Sequence, residues 1–189
     1  MKIGFLGLGT MGQPIAANLL KSGREVRVWN RSAQATQKMV GLGAQAAATA
    51  AQAFEADVVF SMFADDAALR SVLLDSGLLA QLNGPRIHIN LTTISVASAD
   101  ELARLHRAQG IDYIAAPVMG RADVAADGQL NVLVAGPQRA IDRVQPLFDL
   151  IARNTWRLGP QASSANAMKL ATLHLQEAVA GLQSERGEL

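Results

Sequence analysis

Apolar and polar positions along this chain switch repeatedly between a period of two and a period of 3.6. "KIGFLG" at the start is a short apolar run of strand character, and "MGQPIAANLLKSG" behind it predicts a helix closed by Gly23. "EVRVWN" alternates as a strand, and "SAQATQKMVGLG" comes next as a helix with Ser32 at its N-cap. "ADVVFSMF" reads as a strand and "DDAALRSVLLD" as a helix with carboxylates in its first turn, where the dipole favours them. "RIHINLT" predicts another strand and "SVASADELARLHRAQG" another helix. "DYIAAPV", "LNVLVAG" and "TWRLG" predict further strands, with "PQRAIDRVQPLFDLIARN" a helix between the last two.

Repeated β-α alternation of this kind predicts an α/β fold with a doubly wound, mostly parallel sheet. The alanine-rich tract at 44–56 reads as a loop and short helix, and "GPQASS" (159–164) as a linker. The rest of the chain reads as one helical segment. On it Ala165, Met168, Thr172, Leu175, Val179 and Leu182 recur at spacings of three and four, a stripe expected to pair with a second copy in a homodimer.

Composition narrows the classes further. A chain of 189 residues suits one domain, with room for an appendage. A formal charge of +1 gives no reason to expect a nucleic acid or a membrane surface as partner. There are no cysteines, which excludes disulfides and thiolate metal sites and fits a reducing compartment. Lys2 and the apolar stretch behind it are broken by spaced glycines and Pro14, unlike a secretory leader, and no apolar run reaches the length of a membrane span. The expectation is a cytoplasmic location.

Glycines at 7, 9 and 12 have G-x-G-x-x-G spacing between a predicted strand and a predicted helix, and a second strand ends about 20 residues later. That context predicts a Rossmann-type dinucleotide site. Gly7 permits the tight turn, Gly9 lets the backbone approach a pyrophosphate, and Gly12 lets helix and strand pack closely. Sites for NAD place Asp or Glu at the end of the second strand to bond the ribose 2′-hydroxyl. Here that place is held by Asn30, Arg31 and Ser32. Arg31 suits a 2′-phosphate, so the expected cofactor is NADP, with NADPH preferred over NADH.

With these motifs the sequence resembles the β-hydroxyacid dehydrogenase family, which contains 3-hydroxyisobutyrate and 6-phosphogluconate dehydrogenases. "GFLGLGTMGQPIAANLLKSG" resembles the family's nucleotide signature, with Ile15 where Met is commoner, and it implies cofactor contacts from Gly7, Leu8, Gly9, Thr10, Met11 and Gly12. "VWNRS" is similar to the segment of NADP-using members. "SMFADD" stands where the family has Met-Leu-Pro, so the resemblance implies that Met62, Phe63 and Ala64 line the cofactor cleft. "NLTTIS" implies that Thr92 and Thr93 lie by the nicotinamide ribose, and "NAMKL" puts the family's catalytic lysine on Lys169. The substrate loop departs from the family pattern: in "AAPVMGRADVAADGQL", Ala115, Met119 and Arg121 replace Asp, Ser and the second Gly. Met119, Gly120 and Arg121 are the implied substrate-binding positions, with the Arg121 guanidinium suited to a carboxylate or another acceptor. Four residues beyond the lysine the family has Asn and this chain has Leu173. The resemblance divides the chain into a nucleotide-binding domain over 1–162 and, over 163–189, the start of an interdomain helix without the family's helical second domain.

The activity so implied is hydride transfer between NADP and a small hydroxyacid, semialdehyde or related carbonyl, with Lys169 passing the proton. Leu173 and the absent domain lead us to expect slow turnover at most. A nucleotide-binding module without catalysis and an imine-reducing relative are the other readings. His88, His106 and His174 share no metal-ligand spacing, and no metal is expected. His88 reads as a sheet residue and His106 as one among charges on a helix. Asp65 and Asp66 read as dipole partners, and Met39, Met62 and Met168 as core filler.

Overall fold

The computed structural model describes residues 1–186 except 83 and 85. Its first half alternates as the periodicity dictates: β1 (Ile3–Leu6), α1 (Gly12–Lys21), β2 (Val26–Trp29), α2 (Ala33–Gly41), a two-residue β3 (Gln45–Ala46), α3 (Ala50–Ala53) and β4 (Val58–Ser61). Next come α4 (Asp66–Arg70), α5 (Leu78–Gln81), β5 (Ile87–Asn90), α6 (Val96–Ala108) and β6 (Asp112–Ala115). The remainder is β7 (Val118–Met119), α7 (Ala122–Ala126), β8 (Leu130–Val134), α8 (Gln138–Phe148), β9 (Ala152–Arg157) and α9 (Ser163–Arg186).

Strands β1 to β6 form one parallel sheet in the order β3-β2-β1-β4-β5-β6. The chain therefore winds outward from β1 to β3, crosses back to β4 and winds the other way. The reversal opens a crevice at the carboxyl ends of β1 and β4, where ligands bind in such sheets. Register aligns Leu6 with Trp29 and Ser61, and Ser61 with Asn90, so the loops after these four strands start level with one another. A second sheet, β7-β8-β9, has β7 antiparallel and β9 parallel to β8. An antiparallel bridge joins it to the first, with Ala115 and Ala135 exchanging N–H···O bonds of 3.0 and 2.9 Å.

Each face of the parallel sheet is buried. Side chains such as Phe5, Val28, Phe60 and Ile89 pack with α1, α2 and α8, and Leu6, Val59 and Tyr113 face Phe54, Leu73 and Leu102 on the other side. In α8 the buried residues Ala140, Ile141, Val144, Leu147 and Phe148 fall on one stripe.

Several expectations need correction. The helix expected over 65–75 is broken: α4 ends at Arg70 and Ser71–Asp75 form a π-helical stretch, closed by the Ser76 hydroxyl donating to Val72 O at 2.6 Å. The "DYIAAPV" strand splits around Ala116 and Pro117, where Pro cannot donate to a ladder, and the chain leaves one sheet for the other. Helix α8 stops at Phe148, so Ala152, Arg153 and Asn154 belong to β9. The linker is shorter than expected, because Ser163 and Ser164 already lie in α9. Met168 is not core filler but 47% exposed. Met39 is buried, as expected.

Candidate functional site

The loop between β1 and α1 is shaped by its glycines. Gly7 has φ +89°, and a Cβ there would come 2.1 Å from Met62 O; a Cβ on Gly12 would come 2.0 Å from Gly7 O. Two side chains hold the turn from outside. Asn30 Oδ1 accepts Leu8 N–H at 2.9 Å, and Gln13 Nε2 donates to Leu8 O at 2.8 Å. Asn30 is thus joined to the loop it was expected to accompany.

The inner side of the loop is open. A Cβ on Gly9 would meet nothing within 4 Å, and Gly9 and Thr10 are exposed. The N–H groups of Gly9, Thr10 and Met11 reach no acceptor among the described residues. Helix α1 begins there with no side-chain cap at Met11. Unpaired N–H groups at the positive end of a helix, with room for a ligand beside a glycine, suit a phosphate. These residues fit a pyrophosphate-bearing dinucleotide.

Beyond the carboxyl end of β2 lies a hollow of about 480 Å³ whose lining includes Trp29, Arg31, Thr49, Ser71, Ser76 and Gln81. Arg31 is exposed, and among the described residues its guanidinium makes no hydrogen bond or ion pair. Ser32 occupies the N-cap position of α2, but its hydroxyl makes no cap bond. The broken helix before α5 contributes Ser71 and Ser76 to this wall, a feature that helical periodicity could not show.

On the other side of the crevice, Met62 and Phe63 are half-buried and Ala64 is exposed. Thr92 is fully buried, and its Oγ1 accepts Phe63 N–H at 3.0 Å, linking the loop after β4 to the loop after β5. Thr93 is half-buried. Asn166, in the first turn of α9, is buried and accepts Ile94 N–H on Oδ1 at 3.1 Å, while its Nδ2 has no partner among the described residues. Lys169 lies three residues further on the same helical face, so its turn sits beside the β5–α6 loop. It is half-buried, and burial lowers its pKa from the ordinary lysine value.

Met119 ends β7, half-buried, and Gly120 and Arg121 behind it are exposed; Arg121 precedes α7. Asn18 Nδ2 donates to Ala125 O at 2.7 Å and so fastens α7 to α1. Lys169, Arg121 and Thr93 make no hydrogen bonds with one another.

Beneath the site runs a polar chain that periodicity and motifs do not announce. His106 is not among charges but fully buried, its Nδ1 2.7 Å from Leu102 O and its Nε2 2.7 Å from His88 Nδ1. His88 Nε2 is 2.8 Å from Ser61 Oγ, which lies 3.1 Å from Asn90 Oδ1. Asn90 Oδ1 also accepts Thr92 N–H at 3.0 Å, and Asn90 Nδ2 donates to the Tyr113 hydroxyl at 3.0 Å. The available signal was "IHIN": His88 and Asn90 share one face of a strand that is buried throughout. Burial lowers both histidine pKa values, that of His106 to about 4, and raises that of Tyr113. No metal-binding cluster of three or more His, Cys, Asp or Glu occurs among the described residues, and no helix there is long and apolar enough to cross a membrane.

Comparison with known proteins agrees with this geometry. Residues 2–159 match the family described as the NAD binding domain of 6-phosphogluconate dehydrogenase. The chain is 43% identical over 173 residues to an uncharacterized oxidoreductase of Bacillus subtilis, covering 90% of this chain and 60% of that protein. It is 39% identical over 159 residues to a 3-hydroxyisobutyrate dehydrogenase of Pseudomonas aeruginosa, covering 83% and 53%. The 3-hydroxyisobutyrate dehydrogenase of Mycobacterium tuberculosis, in a solved structure with L-serine, superposes with a TM-score of 0.84 at 30% identity, covering 98% of this chain and 65% of that one. The chain thus spans less than two thirds of the length of each of these proteins. It belongs to the family of the 6-phosphogluconate dehydrogenase NAD binding domain, a family of NAD(P)-binding hydroxyacid dehydrogenases with this doubly wound fold.

Proposed function

We propose that the chain binds NADPH in preference to NADH and forms the dinucleotide-binding part of an oxidoreductase acting on a small hydroxyacid, semialdehyde or related carbonyl. The observation that carries the cofactor preference is Arg31: a guanidinium unpaired among the described residues, lining the hollow beyond β2 in a segment with no carboxylate from Trp29 to Ser32. The N–H groups of Gly9, Thr10 and Met11 would hold the pyrophosphate, and Arg31 with the Ser32 hydroxyl the 2′-phosphate. Bound there, the dinucleotide supplies or takes up a hydride at its nicotinamide. Met62, Phe63 and Ala64 would line the cleft, with Thr92 and Thr93 at its far end. Lys169 Nζ would hold the proton exchanged with the substrate oxygen, and partial burial favours its release. Arg121 would engage the substrate carboxylate from the loop after β7.

Leu173, one turn beyond Lys169, neither donates nor accepts. It supports slow turnover by this chain, and equally a second reading as a nucleotide-binding module without catalysis. Leu175 at 67%, Leu182 at 62% and Val179 at 46% exposure leave an apolar stripe on α9 that suits pairing with a second copy.

Dissociation constants for NADPH and NADH test the cofactor assignment. Charge-assisted bonds to the 2′-phosphate are worth roughly 1.5–3 kcal/mol, so NADPH should bind roughly 10- to 100-fold more tightly. Arg31→Asp should abolish or reverse that ratio; equal affinities in the unaltered chain would remove the assignment.

A further inference from the structure

The polar chain beneath the sheet is one hydrogen short. Four contacts join the Leu102 carbonyl to the Asn90 side chain: Leu102 O to His106 Nδ1, His106 Nε2 to His88 Nδ1, His88 Nε2 to Ser61 Oγ, and Ser61 Oγ to Asn90 Oδ1. Each needs one hydrogen to be a bond. Both ends are carbonyl oxygens, which only accept. Asn90 cannot reverse its amide, because Thr92 N–H points at Oδ1 and Nδ2 serves the Tyr113 hydroxyl. Two neutral imidazoles and one hydroxyl bring three hydrogens to the four contacts. Burial keeps both rings neutral at pH 7. One contact therefore lacks a hydrogen.

Its position is set by the distances. At the two 2.7 Å contacts or the 2.8 Å contact, a missing hydrogen would set lone pairs face to face at the separation of a good bond. The Ser61–Asn90 contact is the longest at 3.1 Å, and Asn90 Oδ1 already has Thr92 N–H. The order is then fixed from the helix end. His106 Nδ1–H donates to Leu102 O, His88 Nδ1–H donates to His106 Nε2, and Ser61 O–H donates to His88 Nε2.

We infer that His106 and His88 are positioning residues for the crevice: anchored on the Leu102 carbonyl, they draw the Ser61 hydroxyl toward themselves and reserve the Asn90 carbonyl for Thr92 N–H. Thr92 in turn presents its hydroxyl to Phe63 N–H and so couples the two loops flanking the cleft. This role rests on the dinucleotide reading of that cleft. In His106→Phe the ring volume stays but the acceptor is gone. His88 then has no partner for Nδ1–H, carries its hydrogen on Nε2 and donates to Ser61, which turns its own hydrogen onto Asn90. Thr92 N–H must share its acceptor, and its hold on the loop weakens.

The test is a long-range nitrogen–proton correlation spectrum of the imidazoles at pH 7, with the exposed His174 as internal reference. His88 and His106 should both be neutral with the hydrogen on Nδ1. In His106→Phe, His88 should move to the Nε2–H form, the Thr92 amide signal should shift, and the dissociation constant for NADPH should rise roughly 3- to 10-fold, the scale of one compromised neutral hydrogen bond. A wild-type His88 protonated on Nε2 overturns the proton order, and this measurement decides it even where the variant does not fold. A tautomer change with an unaltered dissociation constant overturns the positioning role. A wild-type chain with both rings in the Nδ1–H form that binds neither NADPH nor NADH overturns the dinucleotide reading instead.

Discussion

One face of the parallel sheet presents Ile3, Phe5, Val28, Phe60, Ile89 and Ile114, all fully buried; the other sets Ser61, His88, Asn90 and Tyr113 among Leu6, Val59 and Ala115, buried just as deeply. Strand register makes the contrast sharp, since Phe5, Phe60 and Ile89 lie level on adjacent strands, as do Leu6, Ser61 and Asn90. Apolar packing has no preferred direction, so the first face holds the strands together without specifying what happens at their ends. Hydrogen bonds do have direction. The second face trades some hydrophobic gain for a chain of groups that can be satisfied in few ways, and that chain ends at the crevice.

Truncating the first face should cost most. Phe60 stacks with Phe5 at 6.0 Å between centroids, and Phe60→Ala should lower unfolding free energy by about 3–5 kcal/mol in a denaturant titration. The second face should be revealed by acid. His88 and His106 are neutral in the fold, whereas in the unfolded chain they take up protons below about pH 6.5. Stability is then fully present above that value and lost as pH falls, with His106 alone removing about 3 kcal/mol on the way down to pH 4. Denaturation midpoints that stay level from pH 6.5 to about 5, before ordinary carboxylates titrate, would contradict this. The smallest effect expected is that of Ser61→Ala, about 1–3 kcal/mol, because it leaves His88 Nε2 buried without a donor. A loss as large as that of Phe60→Ala would mean that the two faces do not differ as argued.

The parts legible in the sequence are those governed by short-range rules. Gly7 and Gly12 announced the loop because the chain's own backbone leaves no room for a side chain there, and the alternating periods announced the doubly wound sheet. The position of Asn30, Arg31 and Ser32 beside the glycine loop was legible because they directly follow β2, whose end lies level with that of β1. The histidine pair was not: His88 and His106 are 18 residues apart, and their meeting depends on which face α6 turns to the sheet. The π-helical stretch at Ser71 was hidden for a related reason, since Val72 and Leu73 are buried and Leu74 is partly so, a pattern that an α-helix also satisfies. Met168 has the hydropathy of a core residue and lies exposed, because local pattern says nothing of which surface is covered.

Within the glycine loop, three residues of one motif answer to two different demands. At Gly7 and Gly12 any side chain would strike a carbonyl of the chain itself; at Gly9 a methyl group would project into open space and disturb no protein atom. Among variants ranked by abundance alone, alanine at Gly9 would therefore be invisible, while alanine at the other two would be purged. If a pyrophosphate sits against this loop as proposed, a ranking by cofactor binding would remove all three together. The difference between those two rankings would then separate what the molecule requires of itself from what a ligand requires of it.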